Sequence, residues 1–185
     1  MKKITCFALC IMAAVTLFSV TACNSTEPSV TGVTAVSNDP GGFGNPWKEA
    51  SSPEEAAYGA NLNDFVIDES VLIDGIAIKP LSYKYTDSVA EASYSLDDVR
   101  ISVRKSTLEY NPDGDIAGIY HDYGFEWKVD MNGITVNCYG DVKGKASKII
   151  WLNEDLCYSI IVSSQDDAEA GLPDTSVRDL VNAIR

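Results

Sequence analysis

The sequence has very few histidines and few basic residues. One histidine and 14 Lys and Arg residues stand against 27 Asp and Glu residues among 185, which gives a formal net charge of −13. Binding to nucleic acid needs clustered Lys and Arg, so the acidic balance argues against a nucleic-acid partner. A single histidine likewise argues against a zinc site with several histidine ligands and against a histidine-based triad.

Long apolar runs are also scarce, and the one that is present lies at the start of the chain. Residues 4–19 carry no charge and follow the short basic start Met1-Lys2-Lys3. A membrane-spanning helix needs about 20 apolar residues, and this run is shorter. A basic start, an apolar core and small residues before a cleavage site are typical of an export signal. We therefore expect residues 1–22 to be a signal peptide.

The four residues after this run, Val20-Thr21-Ala22-Cys23, resemble the lipobox of bacterial lipoproteins. The resemblance implies that a signal peptidase cuts between Ala22 and Cys23 after a diacylglycerol has been attached to the Cys23 sulfur. Two acyl chains, such as palmitate, hold a protein stably on a bilayer. We expect a lipid-anchored protein at the extracytoplasmic face of the cell membrane. The alternative is an ordinary Cys23 thiol beside a plain secretory cut or an uncleaved anchor.

Of the five cysteines, only Cys138 and Cys157 are left for the folded part of the chain. Cys6 and Cys10 lie in the expected signal peptide, and Cys23 is the expected lipidation site. Two thiols of an exported protein can form one disulfide, but a predicted strand lies between these two. A Cys138–Cys157 disulfide and two separate buried thiols therefore both stay open.

The rest of the chain divides into a tether and one domain. Residues 23–45 are rich in Ser, Thr, Gly, Pro and Asn, which is typical of a flexible tether. Residues 46–185 have the length of one ordinary domain. Ser52, Pro53 and Glu55 form a helix start, which predicts a short helix that ends near Gly59 or Asn61.

Alternating sequence predicts strands in the middle of this domain. Val99, Ile101 and Val103 alternate with polar residues, so one strand face should be buried and the other wet. Asn132-Gly133 is a strong hairpin signal. The predicted strands are residues 71–78, 81–86, 91–96, 99–105, 125–130, 134–139, 148–152 and 157–162.

A second helix is predicted at the end of the chain. Asp174 or Thr175 is its expected cap. The expected fold is α+β, with an antiparallel sheet of about six to eight strands packed against a short N-terminal helix and a C-terminal helix. The apolar stripe of the second helix consists of Val177, Leu180, Val181 and Ile184, at spacing i, i+3, i+4 and i+7.

A family resemblance is carried by the stretches 45–47, 52–56, 99–105, 114–118, 132–136, 146–151, 158–160 and 171–172. The order of these stretches is similar to that in the family of domains of unknown function called DUF4367. That family occurs in extracytoplasmic lipoproteins and in the outer parts of membrane-bound regulators of clostridial-type bacteria. The family has no established catalytic residues, so the resemblance implies none. This chain departs from the family in its glycine-rich start, Gly41-Gly42, and in its long segment 106–124.

Two groups of residues invite a chemical interpretation. The acidic turns Asp97-Asp98, Asp113-Gly114-Asp115 and Asp166-Asp167 lack the spacing of a calcium loop and are expected to be solvated. His121 next to Asp122 suggests a general base, but strand neighbours face opposite sides, and a polar loop residue is the simpler interpretation.

The aromatic residues leave two interpretations open. They form a binding face if several point to solvent on one side of the sheet, and they are core if they point toward the helices. Core packing is the preferred interpretation. The set consists of Tyr83, Tyr85, Tyr94, Tyr120, Tyr123, Trp127, Tyr139, Trp151 and Tyr158.

The sequence therefore predicts a protein that is not an enzyme and needs no cofactor or metal. We expect a binding or interaction module whose partners are the membrane lipid through Cys23 and an envelope protein, a peptide or a small ligand. The alternatives are a sensor or regulatory partner of a membrane-bound signalling protein, a carrier of an apolar ligand, and a hydrolase that uses His121.

Overall fold

An antiparallel sheet of eight strands is the framework of the structure. The computed structural model describes residues 45–164 and 170–184. Ten strands and two helices follow one another along these residues. They are β1 (Lys48–Ala50), α1 (Pro53–Gly59), β2 (Val71–Ile73), β3 (Ile76–Ile78), β4 (Ser82–Tyr85), β5 (Ala90–Leu96), β6 (Val99–Thr107), β7 (Phe125–Met131), β8 (Ile134–Gly140), β9 (Lys148–Asn153), β10 (Leu156–Ser164) and α2 (Asp174–Ala183).

The order of strands in the sheet is β1-β4-β5-β6-β10-β9-β8-β7. Every neighbouring pair is antiparallel, and the predicted α+β fold is confirmed. Since paired residues point to the same side of a sheet, one row of side chains runs across all eight strands. That row consists of Lys48, Tyr85, Ala90, Lys105, Tyr158, Trp151, Val136 and Val129.

Residues 71–78, predicted as one strand, form a separate two-stranded hairpin, so that prediction is wrong. β2 and β3 pair with each other around Asp74 and Gly75. Both turn residues have positive φ angles, 50° and 82°. Asp-Gly is favoured in such two-residue turns because both residues tolerate this backbone conformation. The Ser176 hydroxyl donates to Asp74 Oδ1 at 2.9 Å and joins the turn to α2.

Helix α1 begins as its sequence predicts. Ser52 is the N-cap, and its hydroxyl accepts a hydrogen bond from the Glu55 backbone N–H at 3.2 Å. The Glu55 carboxylate reaches back to the Ser51 N–H at 2.7 Å. These bonds satisfy backbone donors that a helix start leaves without intrahelical partners. The helix ends at Gly59, as expected.

Helix α2 has the predicted stripe but not the predicted cap. Its N-cap position is Pro173, which makes no side-chain cap bond, so the prediction of Asp174 or Thr175 as the cap is wrong. The Asp174 carboxylate instead accepts from Trp127 Nε1 at 2.9 Å. The predicted stripe is buried, with Val177, Leu180 and Val181 in the helix and Ile184 just past its end.

The two faces of the sheet are covered by different parts of the chain. The helix face packs against α1, the β2–β3 hairpin and α2 in one hydrophobic core. The opposite, loop face carries residues 108–124. Arg104 holds this loop by donating from Nη1 to the carbonyl oxygens of Ile116 at 3.1 Å and Ala117 at 2.5 Å. Across the described ranges, no helix is long and apolar enough to cross a membrane.

Candidate functional site

A cleft of about 360 Å³ opens on the helix face at one end of the sheet. The β7–β8 turn, the β9–β10 turn and the C-terminal part of α2 form its sides. Lys105 and Asp64 complete the lining, and we call this site the Lys105 cleft. Its apolar lining consists of Met131, Ile134, Leu156, Val181 and Ile184.

Lys105 lies at a position of β6 where the alternation of apolar and polar residues predicts an apolar side chain. Ile101 and Val103 precede it on the same face of β6, and both are fully buried. The Lys105 side chain is only 2% exposed. Its ammonium donates to Asp64 Oδ1 and lies 5.7 Å from the centre of the Tyr158 ring. The charge is therefore balanced by one carboxylate and one aromatic ring face.

The Lys105–Asp64 ion pair is a costly way to fill a core position. Removing an ammonium from water costs several kcal/mol of free energy. Proteins in which well-packed apolar residues replace a buried ion pair are often as stable as the original, or more stable. An ammonium has three N–H donors. Among the described residues, Asp64 is the only hydrogen-bond acceptor that Lys105 Nζ finds. Stability alone therefore does not explain a lysine at this position.

The two members of the pair have very different exposure. Asp64 is 60% exposed, on an irregular segment between α1 and β2. Leu62 and Phe65 on either side of it are buried and fix the segment to the core. The buried cation is thus fixed by its strand, whereas its anion lies at the solvent side of the cleft.

Two stacked aromatic rings form the wall beside Lys105. Trp151 and Tyr158 are direct neighbours on β9 and β10. Their ring centres are 4.9 Å apart, and the rings are nearly parallel, with an interplanar angle of 4°. Burial, with a smaller contribution from the Asp64 charge, raises the pKa of Tyr158 to about 12. The phenol therefore stays protonated at neutral pH and adds no charge to the cleft.

Amide side chains add further polar groups to the cleft lining. Asn132, Asn153 and Asn182 come from the β7–β8 turn, the end of β9 and the end of α2. Each amide both donates and accepts hydrogen bonds. An apolar lining with a few placed polar groups is the usual composition of a small-molecule site. The arrangement suits reversible binding of a small polar molecule.

His121 pairs with a residue that is distant in sequence. Its Nε2 lies 2.9 Å from Asp141 Oδ2, and its ring packs edge-on against Tyr123. The adjacent Asp122 is not its partner. In residues 45–164 and 170–184, no Ser, Thr or Cys side chain hydrogen-bonds to His121. The pair lies at the surface, away from the Lys105 cleft.

Cys138 and Cys157 are two separate thiols in the structure, so the disulfide alternative is not realised. β9 lies between their strands. Cys138 is part of the hydrophobic core on the helix face, whereas Cys157 alternates with Tyr158 and points to the loop face. Burial raises the pKa of Cys138 to about 12 and also raises that of Cys157. Both thiols are therefore protonated small core residues.

The predicted lipidation and cleavage residues, Cys23 and Ala22, lie outside the described residues. The acidic turn Asp166-Asp167 lies outside them as well. Asp115, expected in a solvated turn, pairs with Lys148 Nζ at 2.6 Å. Within the part of the chain that the structure describes, no group of three or more His, Cys, Asp and Glu is placed to hold a metal ion.

Most of the aromatic residues on strands pack into the core, which is the interpretation preferred from the sequence. Tyr94, Trp151 and Tyr158 are buried, and Tyr83, Tyr85 and Trp127 pack against the core with part of their surface exposed. Tyr120 is fully exposed on the 108–124 loop. Tyr123 and Tyr139 contact each other with ring centres 6.2 Å apart.

Comparisons with known proteins give no further information about the site. The chain matches no protein-family model, no curated protein and no solved structure. The function is therefore inferred from the geometry of this chain alone. One signal for the cleft is present in the sequence: the alternation of Val99, Ile101 and Val103 continues to position 105, where a lysine replaces the expected apolar residue.

Proposed function

We propose that this protein is a non-catalytic binding module that is anchored by lipid at the extracytoplasmic face of the membrane and takes a small ligand in the Lys105 cleft. The observation that supports binding most strongly is a nearly fully buried lysine at an open cleft, paired with an exposed carboxylate. Residues that break the local pattern at a stability cost are typical of functional sites.

The composition of the cleft favours a polar ligand with an apolar part. Lys105, Asp64 and three asparagines supply charge and hydrogen bonds, and the aliphatic side chains supply contact area. A wholly apolar ligand would cover the three asparagine amides without offering them hydrogen bonds, which is unfavourable. The cleft therefore supports the proposed binding module better than the alternative of an apolar carrier.

The proposed location depends on the lipobox resemblance at residues 20–23 and is consistent with the similarity to DUF4367, which stays a prediction. We expect the full-length chain to fractionate with membranes, and Cys23→Ala to be released into the extracytoplasmic fraction, because the two acyl chains would be its only anchor. Equal membrane association of both forms, or a cytosolic location of the wild type, would contradict the proposed anchor.

The binding proposal is tested by filling the cleft. Asn182 is an exposed residue of its lining, so Asn182→Trp should occupy the cleft with little effect on the core. Thr175→Trp adds the same ring to an exposed position at the other end of α2 and is the matched control. NMR spectra of the full-length chain in detergent would be recorded with and without dialysable small molecules from the cell envelope.

We expect these small molecules to shift the Trp151 indole N–H signal in the wild type and in Thr175→Trp. In Asn182→Trp the shift should be lost. If the wild type shows no change at the cleft, or if Asn182→Trp changes in the same way, the Lys105 cleft is not the binding site.

A further inference from the structure

We infer that the ligand of the Lys105 cleft is a small organic carboxylate, whose carboxylate group replaces that of Asp64 on the Lys105 ammonium. This inference depends on the proposed binding function and adds the chemical class of the ligand. It starts from what already occupies the cation: a carboxylate on a short side chain, held by one charge-assisted hydrogen bond.

The cation is fixed and remains in place when its partner leaves. Lys105 lies within β6, between its paired neighbours Ala90 on β5 and Tyr158 on β10. The Tyr158 ring restricts the ammonium from one side. A ligand anion therefore binds to a cation that is already in position. The flexible lysine side chain was ordered during folding, so ligand binding does not bear that entropic cost.

The anion is the displaceable member of the pair. Asp64 belongs to a segment without regular secondary structure, and more than half of its side chain is exposed. Its carboxylate can regain full hydration by rotating outward, whereas Lys105 is buried and held within β6. A ligand carboxylate would replace the counter-ion that the described residues give Lys105, without leaving the ammonium unpaired.

The chemistry of the site favours a carboxylate over a phosphate. One ammonium supplies a single positive charge, and none of the described residues that line the cleft is an arginine. Sites for phosphate groups usually add an arginine fork or several converging backbone N–H groups. Asp64 also shows that the space next to Lys105 Nζ accepts a planar carboxylate group.

The test uses chemical rescue in the full-length chain. Asp64→Ala removes the carboxylate and leaves space for acetate, which carries the same carboxylate group. We expect Asp64→Ala to unfold at a lower temperature than the wild type, and sodium acetate to restore most of the lost unfolding temperature. Acetamide, the neutral analogue, and sodium chloride at equal ionic strength should not restore it. Benzoate should act at lower concentration than acetate because it also contacts the apolar lining.

Two further variants separate the cation from general effects. Glu69→Gln removes a carboxylate from the same segment and should neither lower the unfolding temperature nor create an acetate response. The double variant Lys105→Met/Asp64→Ala should be insensitive to acetate and benzoate. Acetate should bind Asp64→Ala at least about tenfold more tightly than the wild type, because the internal competitor has been removed.

Equal rescue by acetate and acetamide, rescue by inorganic phosphate as strong as that by acetate, or an acetate response in the double variant would each overturn the inference. If Asp64→Ala does not fold, benzoate and benzamide are titrated into the wild type and Lys105→Met, with the Trp151 indole N–H as the NMR probe. Selective benzoate shifts that vanish in Lys105→Met support the inference. Equal shifts by benzoate and benzamide overturn the carboxylate class while leaving the cleft as the proposed binding site.

Discussion

At the scale of single residues, Arg104 joins three parts of the loop face. Its Nε donates to Glu91 Oε2 at 2.7 Å, and its Nη1 donates to two carbonyl oxygens of the 108–124 loop. The guanidinium carbon lies 5.0 Å from the centre of the Trp47 ring. Through these contacts Arg104 acts as a structural clamp for the 108–124 loop. A lysine cannot reproduce them, because it lacks the planar, forked guanidinium group.

We therefore predict that Arg104→Lys lowers the free energy of unfolding by about 1–3 kcal/mol. Faster hydrogen exchange at residues 115–118 should accompany this loss, and both are measured on the purified chain. Arg100→Lys, on the same strand and face but exposed, is the control and should change stability by less than about 0.5 kcal/mol. Equal effects of the two variants would show that Arg104 is not a clamp.

The two thiols give a second prediction at this scale. Cys138 and Cys157 are buried, and burial raises the pKa of both, so the reactive thiolate is rare at pH 8. We expect iodoacetamide to label neither residue in the native protein and both in denaturant. Peptide mapping by mass spectrometry measures the labelling. Rapid native labelling, or a linked Cys138–Cys157 peptide, would contradict the structure.

The buried thiol of Cys138 and the buried phenol of Tyr158 also make the free energy of unfolding depend on pH in the alkaline range. The pKa of Cys138 and that of Tyr158 are each raised to about 12, from ordinary values of 9.0 and 10.0. Unfolding therefore releases protons from these two groups in this range, and the free energy of unfolding should fall as the pH rises from 9 to 12. Denaturant titrations at a series of pH values measure this decline.

Tyr158→Phe should make the decline less steep, because one of the buried groups with a raised pKa has been removed. Replacement of the exposed Tyr110 by Phe is the control and should leave the slope of the wild type. A slope that is unchanged in Tyr158→Phe would contradict the contribution of its buried phenol.

At the scale of elements, the start of α1 is the most directly testable. Ser52→Ala removes the acceptor for the Glu55 N–H and should lower the free energy of unfolding by about 0.5–2 kcal/mol. Ser52→Asn keeps a side-chain oxygen at the cap and should retain most of the stability. Urea titration of the three forms measures the difference, and equal losses in both variants would refute the cap.

Most elements were predictable because their signals are local. Alternation identified β6, and Asn132-Gly133 identified the turn between β7 and β8, where both residues have positive φ. The Asp74-Gly75 turn has an equally local signal, but the apolar residues on both sides of it resemble one strand. The cap of α2 was not predictable, because a tertiary bond to Trp127 decides the role of Asp174.

At the scale of the whole molecule, the Lys105 cleft joins residues that are far apart in the sequence. Asp64 precedes Lys105 by 41 positions, and the remaining lining comes from β7 to β10 and from α2. The anomalous lysine was visible in the alternation of β6, but its partner and the cleft depend on how the layers pack. Sequence periodicity contains no information about that packing.

We propose that a lipid-anchored module binds a small molecule in this cleft, and native mass spectrometry of protein extracted from membranes in mild detergent tests both parts of this proposal in one experiment. We predict a chain that begins at Cys23 and carries a diacylglycerol thioether, together with a non-covalent small-molecule mass. Asn182→Trp should lose only the small-molecule mass, and Thr175→Trp should keep it. An unmodified chain that retains residues 1–22 would refute the lipid anchor, and a bound mass that is identical in the two tryptophan variants would refute binding in the Lys105 cleft.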